Sequence, residues 1–441
     1  MHYTKDGEED PIYLVKPTIE KIAVSLASNE TMAQDLSEGK FHLVNKAAYG
    51  PAIMQCMGTF QYPEGEEGPD MTNIRASNYP RIGLAFLTFT SDWPTVHDKE
   101  VRQAIAWCMD REQLTQDYCQ GFGTVVDGYF GMEQWEYLIC TGQLPYPVNL
   151  MPEEVQTEEN LEEWKKHANV YATSDEEYDR MIAAWESLGL DHLVHYGVYD
   201  LENDPERTEK TGIDKANALL DYAGWTLNRQ GEPYQPGTDD VRCKMIDGEL
   251  VALDLKMMYP EGNHIADTLQ ENFIDNLNAA GIQLQLVPED MVSLLHSYYR
   301  QTERTTDMIY LATNFHVVVD PAITYSTDDS ENHQQWNNTY SDDEDLWNRA
   351  VNMRKTDPKD IYDYVVKWIS FQERYNEVLP TIPVYSNIYF DFFNSQLQNY
   401  YITAHTTWSH AVLEAYFGTE PEEPEEAEET EGTEKFEDFG K

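Results

Sequence analysis

The sequence predicts a mixed α/β protein, and three observations carry that expectation. Between Val251 and Leu286 the apolar residues run at period two, then at helical spacing, then at period two again, which is strand, helix, strand. Amphipathic helical stripes with capping residues recur elsewhere along the 441 residues. The composition is 41 % hydrophobic and 12 % aromatic, far from that of acidic disordered chains, so most of the chain is expected to fold, as two or three domains on length alone.

Taken in order, Asp98–Gly121 reads as two helices. Val101, Ala104, Ile105, Cys108 and Met109 share one face; Asp110 then caps a second helix with Gln113 three residues on, and Gly121 ends it. Residues 133–213 hold two acidic helical patches, Glu153–Lys166 and Ser174–Leu188, and little β signal, which predicts a helical acidic surface insertion. Asp214–Gly224 is a further helix with Ala216, Leu219, Leu220 and Ala223 as its stripe and Gly224 at the C′ position. Val251, Leu253, Leu255, Met257 and Tyr259 alternate as a strand, Ile265–Ala280 is a helix, and Ile282, Leu284 and Leu286 alternate again. The economical assembly is a right-handed βαβ unit with a parallel strand pair. Met308–Leu311 reads as a short buried strand, Asp343–Lys355 and Lys359–Tyr375 as helices, and Pro380–Tyr385 as extended because proline disfavours helix for itself and its predecessor. From Glu420 to Lys441 eleven acids face two lysines, and 418–441 is expected to be a disordered acidic tail.

Charge and cysteine content exclude several functions. Thirty Lys and Arg stand against 80 Asp and Glu, a net charge of −50, and −41 remains without the tail. Such a surface lacks the cationic footprint that nucleic acid requires and is repelled by anionic lipid. No stretch has the length of apolar sequence a membrane span needs, and the first ten residues do not read as a secretory signal. Five cysteines without a CxxC spacing indicate neither a zinc site nor a disulfide framework; they read as mostly buried thiols.

Catalytic motifs are weak. Gly121-Phe122-Gly123 follows a helix rather than a strand and lacks the third glycine of a dinucleotide loop, so it reads as a turn or hinge. No phosphate-binding lysine loop, HExxH, GxSxG or calcium loop is present. The acidic pairs Asp239-Asp240, Asp328-Asp329 and Asp342-Asp343 read as solvated loops, with Asp328–Asp345 a weak calcium candidate, and no metal or cofactor is expected. Trp93, Trp225, Phe315, Tyr325 and Trp336 fall in loops or at strand ends, where aromatics either line a small-molecule cleft or pack loops onto the core.

Several segments together resemble the extracellular solute-binding proteins of family 5, the oligopeptide, dipeptide and nickel-binding components of ABC importers. The strongest match is Leu84–Gly123, where Phe86-Leu87-Thr88-Phe89-Thr90 and then Asp98-Lys99-Glu100-Val101-Arg102-Gln103-Ala104 to Asp110-Arg111 follow the family's strand, "VRQA" helix and aspartate-arginine turn. Lys215–Trp225, Leu269–Ile282, Val319-Asp320-Pro321, Trp336-Asn337-Asn338 to Leu346, and Leu379–Pro383 follow in the family's order. Ile19–Phe41 looks like its strand, helix and turn, with His42 where aspartate is usual.

The resemblance implies a periplasmic-binding-protein-like two-lobe fold (type II) in which lobes close on a ligand, and it implies that part of the first lobe is lacking. Residues 1–81 and 381–417 would form the partial first lobe and 82–380 the second α/β lobe. It implies a monomeric, non-enzymatic protein outside the cell or on its surface when the full gene carries a signal, with ABC permease subunits and a peptide-like or other small polar solute as partners. The departures concern the ligand. Asn314 and Val317 stand where oligopeptide binders carry a tryptophan and the aspartate that pairs with the peptide's amino terminus, and Thr90 replaces the usual asparagine. Thr90, Trp93, Asn314, Phe315 and His316 are the ligand-facing candidates. The rival expectations are a remnant interaction protein without transport activity and an acid/base hydrolase using cleft carboxylates. A half-built lobe also predicts poor solubility of the isolated chain.

Overall fold

A computed structural model describes residues 4–5, 8–9, 17–140, 212–315, 320–328 and 336–418. A two-strand ladder, β1 (Thr4–Lys5) and β2 (Glu8–Glu9), opens the chain. Then come α1 (Met32–Ser37), β3 (Leu43–Ala47), α2 (Gly50–Cys56), β4 (Ile74–Pro80), β5 (Gly83–Phe89), α3 (Lys99–Trp107), α4 (Arg111–Cys119), β6 (Gly123–Val125) and α5 (Trp135–Cys140). After residue 211 follow α6 (Gly212–Tyr222), the hairpin β7 (Cys243–Ile246) and β8 (Glu249–Ala252), then β9 (Asp254–Pro260). The helical stretch α7 (Ile265–Leu269), a π-helical turn (Gln270–Ile274) and α8 (Asp275–Ala279) leads to β10 (Gln283–Glu289), α9 (Met291–Tyr298) and β11 (Met308–Asn314). The chain closes with α10 (Glu344–Arg354), α11 (Ile361–Val378), β12 (Thr381–Asn394), β13 (Leu397–Gln398), α12 (Trp408–Glu414) and β14 (Tyr416–Phe417).

The main sheet has eight strands in the order β10-β9-β11-β5-β12-β3, with β4 and β6 also paired to β12. The βαβ unit is present with a parallel register, Leu255 opposite Leu284 and Met257 opposite Leu286. One strand expected over 251–259 is two: Asp247 and Gly248, both at positive φ, fold β8 back onto β7, so the alternation breaks at Leu253 before β9 enters the sheet. The capping logic holds at α4, where Asp110 Oδ1 accepts from the Gln113 backbone N–H at 2.8 Å. Gln120, at φ 51°, takes the left-handed position and ends the helix one residue before Gly121. Gly224 (φ 83°) and Gly281 (φ 82°) close α6 and α8, because a left-handed residue after the last turn lets trailing N–H groups satisfy orphan carbonyls.

β12 organises the molecule. Its first half pairs with β5 and β6, its second half with β4 and β3. The hydrophobic cores divide at the same place. A large core runs from Leu84 to Tyr385, and two small ones gather Phe390 and Phe392 with α1 and α2, and Phe393 with Leu397, Tyr400 and Ala411. The second covalent crossing between these regions, from β4 to β5, runs beside the first: the Arg81 N–H donates to Asn387 O at 3.0 Å. Residues 17–28 have no regular structure, against the strand expected near Ile19; β3 is the sheet edge, and Val24 (83 %) and Leu26 (99 %) stay exposed. The helical patches at 153–166 and 174–188 and the acidic tail lie outside the described residues. Cys56, Cys108, Cys119 and Cys243 are buried free thiols.

Candidate functional site

At the end of the large core, β5 begins beside the end of β11, and their backbones meet very closely. A Cβ on Gly83 would lie 2.0 Å from Thr313 O, and one on Gly131 would lie 2.1 Å from Gly83 N, so only glycine lets these segments touch. That contact seats the Gly128–Gly131 loop against the sheet and turns Tyr129 toward a cavity of about 170 Å³. Leu84 and Phe86 from β5, Thr313 from β11 and Thr381 from β12 form its floor. Tyr298 and Tyr299 at the end of α9, Tyr129, Ile323, Tyr325 and Trp336 form the walls, with Thr324 and Asn338 at the polar side.

The walls are built by rings packed on rings. Tyr129 lies 4.6 Å from Phe315 and 5.5 Å from Tyr325, and Tyr325 lies 5.9 Å from Phe371 on α11. Tyr325 is 1 % exposed, whereas Trp336 is 48 % exposed and Ile323 and Tyr299 are also open to solvent, so the cavity has a buried base and an exposed rim. Burial pushes the Tyr129 phenol up to about 12 and those of Tyr298 and Tyr325 well above their ordinary value, so all three stay neutral. Among the described residues no Asp, Glu, His, Lys or Arg lines this cavity. Its chemistry is therefore apolar and aromatic contact with a few neutral hydrogen-bonding groups.

The sequence-based candidates distribute unevenly around this site. Thr90 is fully buried one residue beyond β5, where its hydroxyl donates to Thr306 O at 2.8 Å and accepts from Arg304 Nη1 at 3.3 Å. Trp93 packs against the large core, and neither residue is among those lining the cavity. Phe315 backs the cavity through Tyr129 and is pinned by its N–H to Ile82 O at 2.7 Å. Asn314 is exposed at the end of β11, with Oδ1 accepting from Arg81 Nε at 2.8 Å. His316 lies outside the described residues. Of the five loop aromatics, Trp225 is buried in the core, while Tyr325 and Trp336 meet at the cavity. Sequence reasoning missed Tyr129, Tyr298 and Tyr299; a glycine-flanked aromatic pair (Gly128-Tyr129-Phe130-Gly131) and a tyrosine pair at a helix end were the available signals.

The weak calcium candidate dissolves into ordinary roles at its described acids. Asp343 Oδ1 caps α10 through the Leu346 N–H at 2.7 Å and pairs with Arg374, and Asp345 pairs with Arg349 at 3.0 Å. Among the described residues no group of three or more His, Cys, Asp or Glu is placed to hold a metal, and no helix is long and apolar enough to cross a membrane.

No protein-family model matches the chain, and no curated protein sequence does. Solved structures do match. The oligopeptide-binding protein AppA of Bacillus subtilis, in complex with a nonapeptide, superposes with a TM-score of 0.58 at 12 % identity, covering 89 % of this chain and 59 % of that one. Lactococcal OppA with an endogenous peptide gives 0.58 at 14 %, covering 88 % and 58 %. NikZ of Campylobacter jejuni with Ni(L-His) gives 0.54 at 14 %, covering 88 % and 60 %. The chain therefore has the fold of the corresponding part of these two-lobe α/β solute-binding proteins. More narrowly, it is the fold of family 5, and the chain spans about three fifths of the length of these structures.

Proposed function

We propose that this protein is a non-enzymatic solute-binding component of an ABC importer, working outside the cytoplasm as a monomer and delivering its ligand to permease subunits. The single observation that supports it most is the cavity itself: an aromatic pocket that, among the described residues, no charged side chain lines, at the end of the sheet where β11 finishes, on this fold. The ligand class that suits it is a peptide-like or other small polar solute carrying an aromatic or bulky apolar group.

In this reading residues 82–380 act as one lobe, and 1–81 with 381–417 contribute to the other. The hinge is the place where the Pro80–Gly83 crossing lies against Asn387 of β12. Ligand shifts the equilibrium toward the closed form by binding it more tightly than the open one. Residues 153–188 and the acidic tail have no assigned part in this.

Isothermal titration and thermal melting of the full chain against a mixed peptide pool test the proposal. A saturable heat and a raised melting temperature are expected, both weakened by Tyr129→Ala. A cooperatively folded chain that shows neither response to any pool would refute it.

A further inference from the structure

The cavity wall formed by Tyr129 is one end of a short segment whose other end is a buried acid. Gly128–Glu136 packs along α11. Tyr129 lies against Phe371 and Tyr375, at 6.3 and 5.8 Å between ring centroids, and its N–H donates to Gln372 Oε1 at 3.1 Å. Phe130 and Trp135 both pack on Trp368, at 6.0 and 5.2 Å, and Trp135 also reaches Tyr364. Two glycines bound the part that turns: a Cβ on Gly128 would lie 2.5 Å from Gln372 Oε1, and one on Gly131 would meet the Gly83 backbone. Tyr129 and Glu136 thus hold their places through the same helix.

This seat is poorly satisfied. Five of its buried polar atoms have no hydrogen-bond partner: Gln134 Nε2, Gln372 Nε2, Trp368 Nε1 and both carboxyl oxygens of Glu136. The two amides cannot simply turn over, because Gln134 Oε1 accepts from the Gly131 N–H at 2.8 Å and Gln372 Oε1 from that of Tyr129. Each orphaned atom has given up its hydration without return, which places the segment toward the less stable end of the fold.

Glu136 adds a dependence on protons. It is fully buried. Tyr364 on α11 is the titratable group that faces it, and Asp320 acts on that phenol from beyond. Glu133, on the same segment, is exposed and acted on by His405. Among the described residues no Lys, Arg or His acts on Glu136 to balance a negative charge. An ionised Glu136 therefore has no partner inside and reaches water only when the segment lifts from α11.

We infer that Gly128–Glu136 is a proton-operated latch on the cavity: with Glu136 as the neutral acid the segment seats and Tyr129 forms the wall, and with Glu136 ionised the segment unseats and the wall is lost. The inference rests on the solute-binding reading for its site and adds the regulation of that site. Because the seated form is the one that binds, solute and proton reinforce each other, and the apparent affinity is scaled by the fraction of chains that are seated. The solute is held more tightly in acid than in alkali.

Titration calorimetry of the full chain with a mixed peptide pool at pH 6 and pH 8, in phosphate and in Tris, tests this. Glu136→Gln serves as the permanently neutral form, and comparison with it cancels the titration of the peptides themselves. Relative to that variant, the half-maximal concentration of the wild type should rise about tenfold or more from pH 6 to pH 8, the scale of linkage to one proton. At pH 8 the wild type should also take up a larger share of a proton per solute, read from the difference in heat between the two buffers. Trp135→Ala, which weakens the seat and keeps the acid, should show the loss of affinity already at pH 6. A saturable response with the same pH dependence in wild type and Glu136→Gln, or a Trp135→Ala profile identical to the wild type, would overturn the latch and leave the solute-binding reading standing. So would a folded Glu136→Gln chain that no longer binds at pH 6. A wild-type chain that answers no pool at either pH would refute the solute-binding reading, and the latch with it.

Discussion

Glu136 offers a prediction whose size follows from its surroundings. It lies in the first turn of α5, is 0 % exposed, and neither carboxylate oxygen has a hydrogen-bond partner. Trp135 beside it packs on Trp368 and Tyr364 of α11, at 5.2 and 6.1 Å between ring centroids. Burial in this aromatic setting raises the Glu136 carboxyl to about 8. The native state therefore keeps a proton that the unfolded chain releases near the ordinary glutamate value, so this group makes stability fall as pH rises from about 4.5 to 8. Each pH unit in that window is worth about 1.4 kcal/mol, which accumulates to about 3 kcal/mol at pH 7. Glu136→Gln keeps the shape and removes the titration. Guanidinium denaturation of both proteins at pH 5, 6, 7 and 8 should show the smallest advantage for the variant at pH 5 and a growing one above it. Because every other titrating group is common to both proteins, the difference isolates this one. A gap that does not change with pH, or a variant less stable at pH 8, would refute the reasoning.

Gly131→Ala should lower stability by about 1–3 kcal/mol or more, because the new methyl meets the Gly83 backbone rather than a movable side chain; thermal melting reads it. Arg111→Ala should cost about 3–5 kcal/mol in the same assay, since it strands Asp127 and the Val126 and Pro383 carbonyls together, and Arg111→Lys should recover only part of this. Trp336→Ala should change stability by less than about 1 kcal/mol, given its exposure, while weakening the response to the peptide pool about tenfold; an unchanged response would remove Trp336 from the site.

The local elements were legible because their causes are local. Asp110 and Gln113 announce the start of α4, Gly224 and Gly281 the ends of α6 and α8, and the alternating and helical periods of 255–286 the βαβ unit. Phe315 reached the edge of the cavity for the same reason, as an aromatic just beyond a short strand. Thr90 did not, because a residue one step past a strand end can turn inward as easily as outward. The contact with Arg304 that decided the matter is 214 residues away in the chain.

By itself the sequence determined the class, the helices and their caps, the parallel strand pair at one edge of the sheet and the resemblance that named a fold. Tertiary structure alone decided that β12 is one strand serving three cores, that Gly83 and Gly131 touch, and that six lining aromatics from four distant segments enclose one cavity. It also decided that Arg81 stands among amides rather than acids, with partners 233 and 306 residues away. Period and capping act over a few residues and leave a mark there. Strand pairing and the fate of a buried charge depend on what arrives from the rest of the chain, and no local pattern records that.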